Sequence, residues 1–173
     1  FHLSGITPAL SEELSELSLE AVKVAKSKGL TVSFDFNYRE GLWAKNNLDA
    51  QKVLGRIVEN VDLLMASAQD CKICLDIDVE EDKQGRNFNL TEYVMEEFPN
   101  LKVMVSTFRD VVSADHNILS AVLRDQSGFF SSREFTIRDI VDRIGSGDAF
   151  AAGIIYGLVS RMGGQEILDF ATA

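Results

Sequence analysis

Apolar residues recur along this chain with two spacings, one of three to four residues and one of two, and the two alternate from the first residues to the last. Between Ser11 and Lys28, Leu14, Leu17, Ala21 and Val24 stand at helical spacing. Ser11 offers an N-cap oxygen, Glu12 and Glu13 lie at the positive end of the helix dipole, and Gly29 ends the run. The pattern predicts an amphipathic helix with those four residues as its apolar stripe. Val32, Phe34 and Phe36 then alternate within LTVSFDFN, residues 30–37, a strand that runs out into YREGLWAKN, a loop crowded with large polar groups.

The same order repeats. A helix over 48–60 leads to a short apolar strand at 61–66, and a helix over 90–98 stops at Pro99 before a strand at 101–106. Helices of this length between short apolar strands imply parallel crossovers, so the expected fold is a three-layer α/β/α domain, one domain over residues 1–173, with a mainly parallel sheet. Two strand-like runs between 118 and 136 flank a polar turn at Asp125 to Gly128, which predicts an antiparallel hairpin on the sheet edge. Residues 76–87 gather acids without the glycine and spacing of a calcium loop and read as a solvated insertion.

Composition narrows the class. The chain has 173 residues, is 46% hydrophobic and 25% charged, and carries a formal charge of -10. That charge repels phosphate backbones and anionic membrane surfaces, and no basic cluster offsets it, so nucleic acid and membrane are not expected partners. No apolar run reaches the length of a membrane span and no secretory layout opens the chain, so a cytoplasmic protein is expected. The opening FHLSGI, apolar and without Met, suggests a piece of something larger. Cys71 and Cys74 form a C-x-x-C pair with no second Cys or His pair to complete a zinc site, and a structural role is expected for both.

Candidate chemistry lies in DRIGSGDAFAAGIIYGL, residues 142–158. Ala149, Phe150, Ala151, Ala152, Ile154, Ile155, Tyr156 and Leu158 are apolar nearly all round, which predicts a buried helix with Gly153 and Gly157 at close-packing positions. Gly145, Ser146 and Gly147 let the free amides at its start converge on one point, where an anion is favoured by direct hydrogen bonds and by the helix dipole. Asp148 stands at the rim, placed to take a proton from an attacking hydroxyl. The same residues also suit a tight turn with Asp148 as a cap, and spacing alone leaves both readings open. The commoner phosphate and hydrolase signatures are absent from the sequence.

Asp142, Gly145, Ser146, Gly147, Asp148 and Phe150 match the D-x-x-G-[AS]-G-D-x-F signature, and the chain resembles the ribokinase-like carbohydrate kinases. SGITPALS at 4–11, DFNYREGLW at 35–43 and STFRD at 106–110 resemble the 2-keto-3-deoxygluconate kinase branch. The resemblance implies ATP and Mg2+ as cofactors and a sugar acid as substrate. It implies Asp148 as general base, the amides of Gly145, Ser146 and Gly147 as anion hole, and Arg39, with Asn37, as sugar-acid contacts. Where relatives carry N-x-x-E this chain has Ser67 and Asp70, so Asp70 is carried over as a metal ligand and Ser67 toward the nucleotide. Thr107 and Arg109 stand where relatives carry residues near the nucleotide. The resemblance further implies the C-terminal portion of a longer kinase, lacking the N-terminal part and the lid, whose parent is a homo-oligomer. Two rivals are another kinase of the superfamily, such as a fructokinase, and a non-catalytic binding module for a nucleotide or sugar acid.

Overall fold

A computed structural model of the chain describes residues 1–79, 88–142 and 144–173. Among these residues the chain has seven helices and seven strands, gathered into two compact units, Phe1–Met104 and Val105–Ala173. No helix among them is long and apolar enough to cross a membrane.

The first unit opens with β1 (His2–Ser4), α1 (Glu12–Ser27), β2 (Ser33–Asp35), α2 (Glu40–Lys45) and α3 (Ala50–Val58). β3 (Leu63–Met65), α4 (Ala68–Leu75) and α5 (Phe88–Glu97) follow, and β4 (Val103–Ser113) begins at its end. β1, β2 and β3 pair in parallel, in register Leu3↔Phe34 and Phe34↔Leu64, as the helical crossovers require. Val32, Phe34 and Phe36 are fully buried among Leu54, Ile57 and Leu64, and the Phe34 and Phe36 rings meet edge-on with centroids 5.7 Å apart. Each such side chain contributes about 1.5–3 kcal/mol by leaving water. At the other end of the strands, the Asp62 carboxylate is 2% exposed and accepts from Lys26 Nζ at 2.7 Å, Lys102 Nζ at 3.0 Å and the Val32 amide at 2.9 Å.

Three expectations for this unit need correction. α1 begins after Ser11, whose Oγ accepts from the Leu14 amide at 3.2 Å, as foreseen, but it buries Ser15, Ser18, Leu19, Val22 and Ala25. Leu17 and Val24 of the expected stripe are 56% and 44% exposed. The helix carries two apolar stripes one residue apart, and the buried one includes two serines that periodicity counted as polar. Their hydroxyls are satisfied locally, Ser15 by Pro8 O at 2.5 Å and Ser18 by Leu14 O at 2.6 Å, so their burial leaves no donor unmet. The expected loop after Asn37 is partly helix α2, too short for a periodic signal, and it buries Trp43 against Tyr38 with the rings 6.4 Å apart and stacked. The expected strand at 101–106 runs on to Ser113. The acidic segment at 76–87 lies outside the described residues from position 80 onward; Asp76, within them, closes α4 in a left-handed conformation.

The second unit contains the rest of β4, then β5 (His116–Asp125), β6 (Gly128–Ser131), β7 (Phe135–Ile137), α6 (Ser146–Val159) and α7 (Gly164–Thr172). The expected hairpin is present: β5 and β6 pair antiparallel with Asp125 opposite Gly128, and Asp125 Oδ1 accepts from the Ser127 and Gly128 amides at 2.7 and 3.1 Å. Its second run divides into two strands, since β7 pairs β5 further along at Asn117 to Leu119. Buried Ser132 bridges the division, its Oγ accepting from the Ala121 amide at 2.9 Å. Gly153 and Gly157 pack against α7 as expected; a Cβ on either would come within 2.8 Å of Ala171 Cα or Ile167 Cγ1. The expectation that α6 is buried all round is corrected, because Phe150, Ile154 and the two glycines turn inward while Tyr156 and Val159 are 56% and 77% exposed.

Candidate active site

Gly145 sets the geometry of the signature turn. It stands at the N-cap of α6 with φ +81°, a left-handed conformation that suits glycine, and it has no side chain with which to cap the helix. The first intrahelical bond runs from the Ala149 amide to Gly145 O at 2.8 Å. Among the described residues, no protein acceptor meets the amides of Ser146, Gly147 and Asp148. Asp142 fixes the approach to the turn by accepting from the Ile144 amide at 2.9 Å. The turn and the start of α6 are exposed rather than buried, so the free amides face solvent or a ligand. A helix start with its amides open and its dipole unopposed favours an anion. The Asp148 carboxylate lies in the first turn, exposed and without a capping bond, so the cap reading of this residue has no hydrogen bond behind it.

Arg109 of β4 joins this group: its Nη2 donates to Ser146 Oγ at 3.0 Å, which brings a guanidinium to the helix start. Thr107, two residues earlier, is also exposed. Both lie inside a long strand rather than at a strand end.

In the first unit the expected residues follow the carboxyl ends of the parallel strands, where open α/β sheets bind ligands. Ser4 and Asp35 are paired at the ends of β1 and β2. The Gly5 amide donates to Asp35 O at 2.8 Å, and a Cβ on Gly5 would stand 2.1 Å from Phe36 O, so the two segments touch through a position only glycine fits. Asn37, at φ +38°, donates through Nδ2 to Ser4 Oγ at 3.3 Å. Arg39 is exposed, with Nη1 donating to the Tyr38 carbonyl at 3.0 Å, and the planar Tyr38 and Trp43 pair lies beside it in sequence. Its fork remains available to a carboxylate.

The sequence model of the pfkB family carbohydrate kinases matches residues 119–173, which include the whole signature turn. A crystal structure of 2-dehydro-3-deoxygluconokinase from Thermotoga maritima is 39% identical and superposes with a TM-score of 0.90 over 99% of this chain and 51% of that one. A pfkB family carbohydrate kinase from Listeria grayi is 32% identical with a TM-score of 0.88, again over 99% of this chain and 51% of that one. In the signature segment and in fold, the chain is similar to the pfkB family carbohydrate kinases. Among curated relatives, the 2-dehydro-3-deoxygalactonokinase of Haloferax volcanii is 32% identical over 173 residues, covering 100% of this chain and 49% of that protein. The chain therefore spans about half the length of the relatives it matches.

The structure gives the expected metal ligand, Asp70, a local partner. Ser67 is the N-cap of α4, and Asp70 closes a capping box with it: Asp70 Oδ2 accepts from the Ser67 amide at 2.9 Å and from Ser67 Oγ at 2.7 Å, while the Asp70 amide donates to Ser67 Oγ at 3.1 Å. One oxygen of that carboxylate is engaged at the helix start, and no cluster of three metal-ligating side chains occurs among the described residues. These residues do not form a protein cage for Mg2+, which needs near-octahedral oxygen ligation. One further polar residue near the turn escaped the sequence reading: Asn117, on β5, is 3% exposed with its side-chain carbonyl unpartnered. Nothing in an alternating strand pattern marks it. Cys71 and Cys74 are fully buried on α4, and burial pushes both thiols up, Cys74 to about 12, which keeps them protonated and unreactive.

Proposed function

We propose that the protein to which this chain belongs transfers the γ-phosphoryl group of ATP to the terminal hydroxyl of a 2-keto-3-deoxy sugar acid, 2-keto-3-deoxygluconate in the first instance, giving the 6-phosphate and ADP. The observation that carries this reading is the start of α6, where three amides without a protein acceptor adjoin an unbonded carboxylate. Asp148 takes the hydroxyl proton as the substrate oxygen bonds to phosphorus and the ADP oxygen departs. The amides of Gly145, Ser146 and Gly147 stabilise the charge on the transferring group, and Arg109 adds positive charge beside Ser146. Thr107 is assigned to the nucleotide phosphates. Arg39 and Asn37 are assigned to the sugar acid, Arg39 to its carboxylate. Mg2+ would arrive as the nucleotide's counter-ion, and the part proposed for Ser67 and Asp70 is to hold the start of α4. The likeness of the relatives in name and fold supports the substrate class, and a cytoplasmic homo-oligomer is the setting proposed.

The test is ADP formation by the full-length product of the reading frame, native and Asp148→Asn, with 2-keto-3-deoxygluconate and with fructose. The native protein should prefer the acid, because a neutral ketose leaves the Arg39 fork unpaired. Asp148→Asn should lower kcat by about 10²-fold or more with nucleotide affinity little changed. Equal rates on fructose would move the substrate to a neutral ketose, and turnover untouched in Asp148→Asn would end the kinase reading. Residues 1–173 alone should show weak turnover or none.

A further inference from the structure

The guanidinium of Arg109 is held at the start of α6 by a neutral partner. Its Nη2 donates to Ser146 Oγ at 3.0 Å, and among the described residues no carboxylate forms an ion pair with it. Asp110, its neighbour in sequence, falls on the opposite face of β4, because successive strand residues alternate, whereas Thr107 shares the face of Arg109. Asp142 is nearer, since it borders the same small cavity of about 80 Å³ as Arg109 and Ser146. Its Oδ1, however, accepts from the Ile144 amide. Leu119, Ile137 and Ile140 wall that cavity and offer the guanidinium no side-chain acceptor.

A carboxylate and a hydroxyl hold an arginine with different consequences. A carboxylate orients the guanidinium and cancels its charge, whereas a hydroxyl orients it and leaves both the charge and the other N–H donors open. In a chain with a formal charge of -10, an uncancelled cation beside an anion's seat counts for more. The tether also settles the side chain before any ligand arrives, so less rotamer freedom is lost on binding. The signature D-x-x-G-[AS]-G-D-x-F admits alanine or serine at this position, and only serine can make the bond. We propose that the side chain of Ser146 is a positioning group: its Oγ fixes Arg109 at the start of α6, so that the guanidinium meets the transferring phosphoryl group already oriented and fully charged. The proposal rests on the phosphoryl-transfer reading and deepens it. Ser146 then has two separable parts, an amide that faces the anion and a hydroxyl that acts through Arg109.

The experiment is a double-mutant cycle on the full-length protein: native, Ser146→Ala, Arg109→Gln and the two together, with Ser146→Thr as the variant that keeps a hydroxyl. Dissociation constants for inorganic tripolyphosphate are measured at low and high salt, kcat and KM are measured with ATP, and thermal melts confirm folding. Arg109→Gln should weaken tripolyphosphate about ten-fold at low salt and flatten the salt dependence. Ser146→Ala should weaken it about three-fold while Arg109 is present and leave it unchanged in the Arg109→Gln background, with kcat in the same order. Ser146→Thr should stay close to native. Should Arg109→Gln fail to fold, Arg109→Met, which keeps an apolar stem, closes the same cycle. An equal effect of Ser146→Ala in both backgrounds means that the hydroxyl acts without the arginine, and it overturns the inference. So does a cycle in which neither single variant changes tripolyphosphate binding, or a Ser146→Thr as weak as Ser146→Ala. If the native protein still binds tripolyphosphate and turns over in those cases, the phosphoryl-transfer reading stands alone. If the native protein does neither, that reading falls and takes this one with it.

Discussion

The buried carboxylate of Asp62 offers the sharpest test of how the first unit is held. Burial pushes this carboxyl up, but hydrogen bonds from Lys26, the Val32 amide and Lys102 outweigh that and hold it below the ordinary carboxylate range. Replacing it by Leu removes all three acceptor contacts. The Val32 amide is then left unmet in the interior, at about 1–3 kcal/mol. The lysines lose charge-assisted bonds, but their side chains are 33% and 62% exposed and water takes over much of that interaction, so they add only about 1 kcal/mol between them. The sum for Asp62→Leu is about 2–4 kcal/mol at neutral pH. Asp62→Asn keeps an oxygen for the Val32 amide and loses chiefly the charge, so it should cost about 1–2 kcal/mol. The sign of the pH dependence follows from the depressed value. The unfolded carboxyl titrates near about 3.9, so the contribution of the native Asp is fully present well above that and is lost as pH falls through the lower, folded value. Urea unfolding followed by far-ultraviolet circular dichroism at a series of pH values measures this. The gap between native and Asp62→Asn should be widest near neutrality and close toward acid. A gap that is independent of pH, or an Asn variant as damaged as the Leu variant, would refute the account.

Other outcomes are expected on the same terms. Gly5→Ala forces a Cβ to within 2.1 Å of a backbone carbonyl, so it should destabilise by about 2 kcal/mol or more and weaken sugar-acid affinity together with stability; a melting temperature unchanged from native would contradict the packing described. Cys71 and Cys74 should react with a thiol reagent such as DTNB only at the rate of unfolding between pH 7 and 9, since burial pushes both thiols up; rapid modification of folded protein would show the helix to be open there.

How much of this was legible in the sequence depended on how local its cause was. The Ser11 cap, the alternation of Val32, Phe34 and Phe36, and the Asp125 turn are set by neighbours within a few residues, and each was readable. The inward face of α1 was not, because two buried serines satisfy their hydroxyls on local carbonyls and so behave as small core residues that a polarity pattern misplaces. β4 was read short because its later residues are mostly exposed, and burial, not extended backbone, is what produces an apolar signal. At the site, the glycines and Asp148 stand out by their spacing, whereas the tie of Asp70 to Ser67 across the start of α4 was not foreseen, since an acid at that position has several uses. Asn117 left no trace at all, since nothing in an alternating strand pattern marks a buried amide whose carbonyl goes unpartnered.

Trp43 is the single tryptophan of the chain, 2% exposed and stacked on Tyr38 four residues from Arg39. The intrinsic emission of the protein excited at the red edge of indole absorption therefore comes from one place among these residues, the segment that carries the guanidinium assigned to the sugar acid. A ligand engaging that segment will be seen optically without any label, and one that binds elsewhere will leave the signal still.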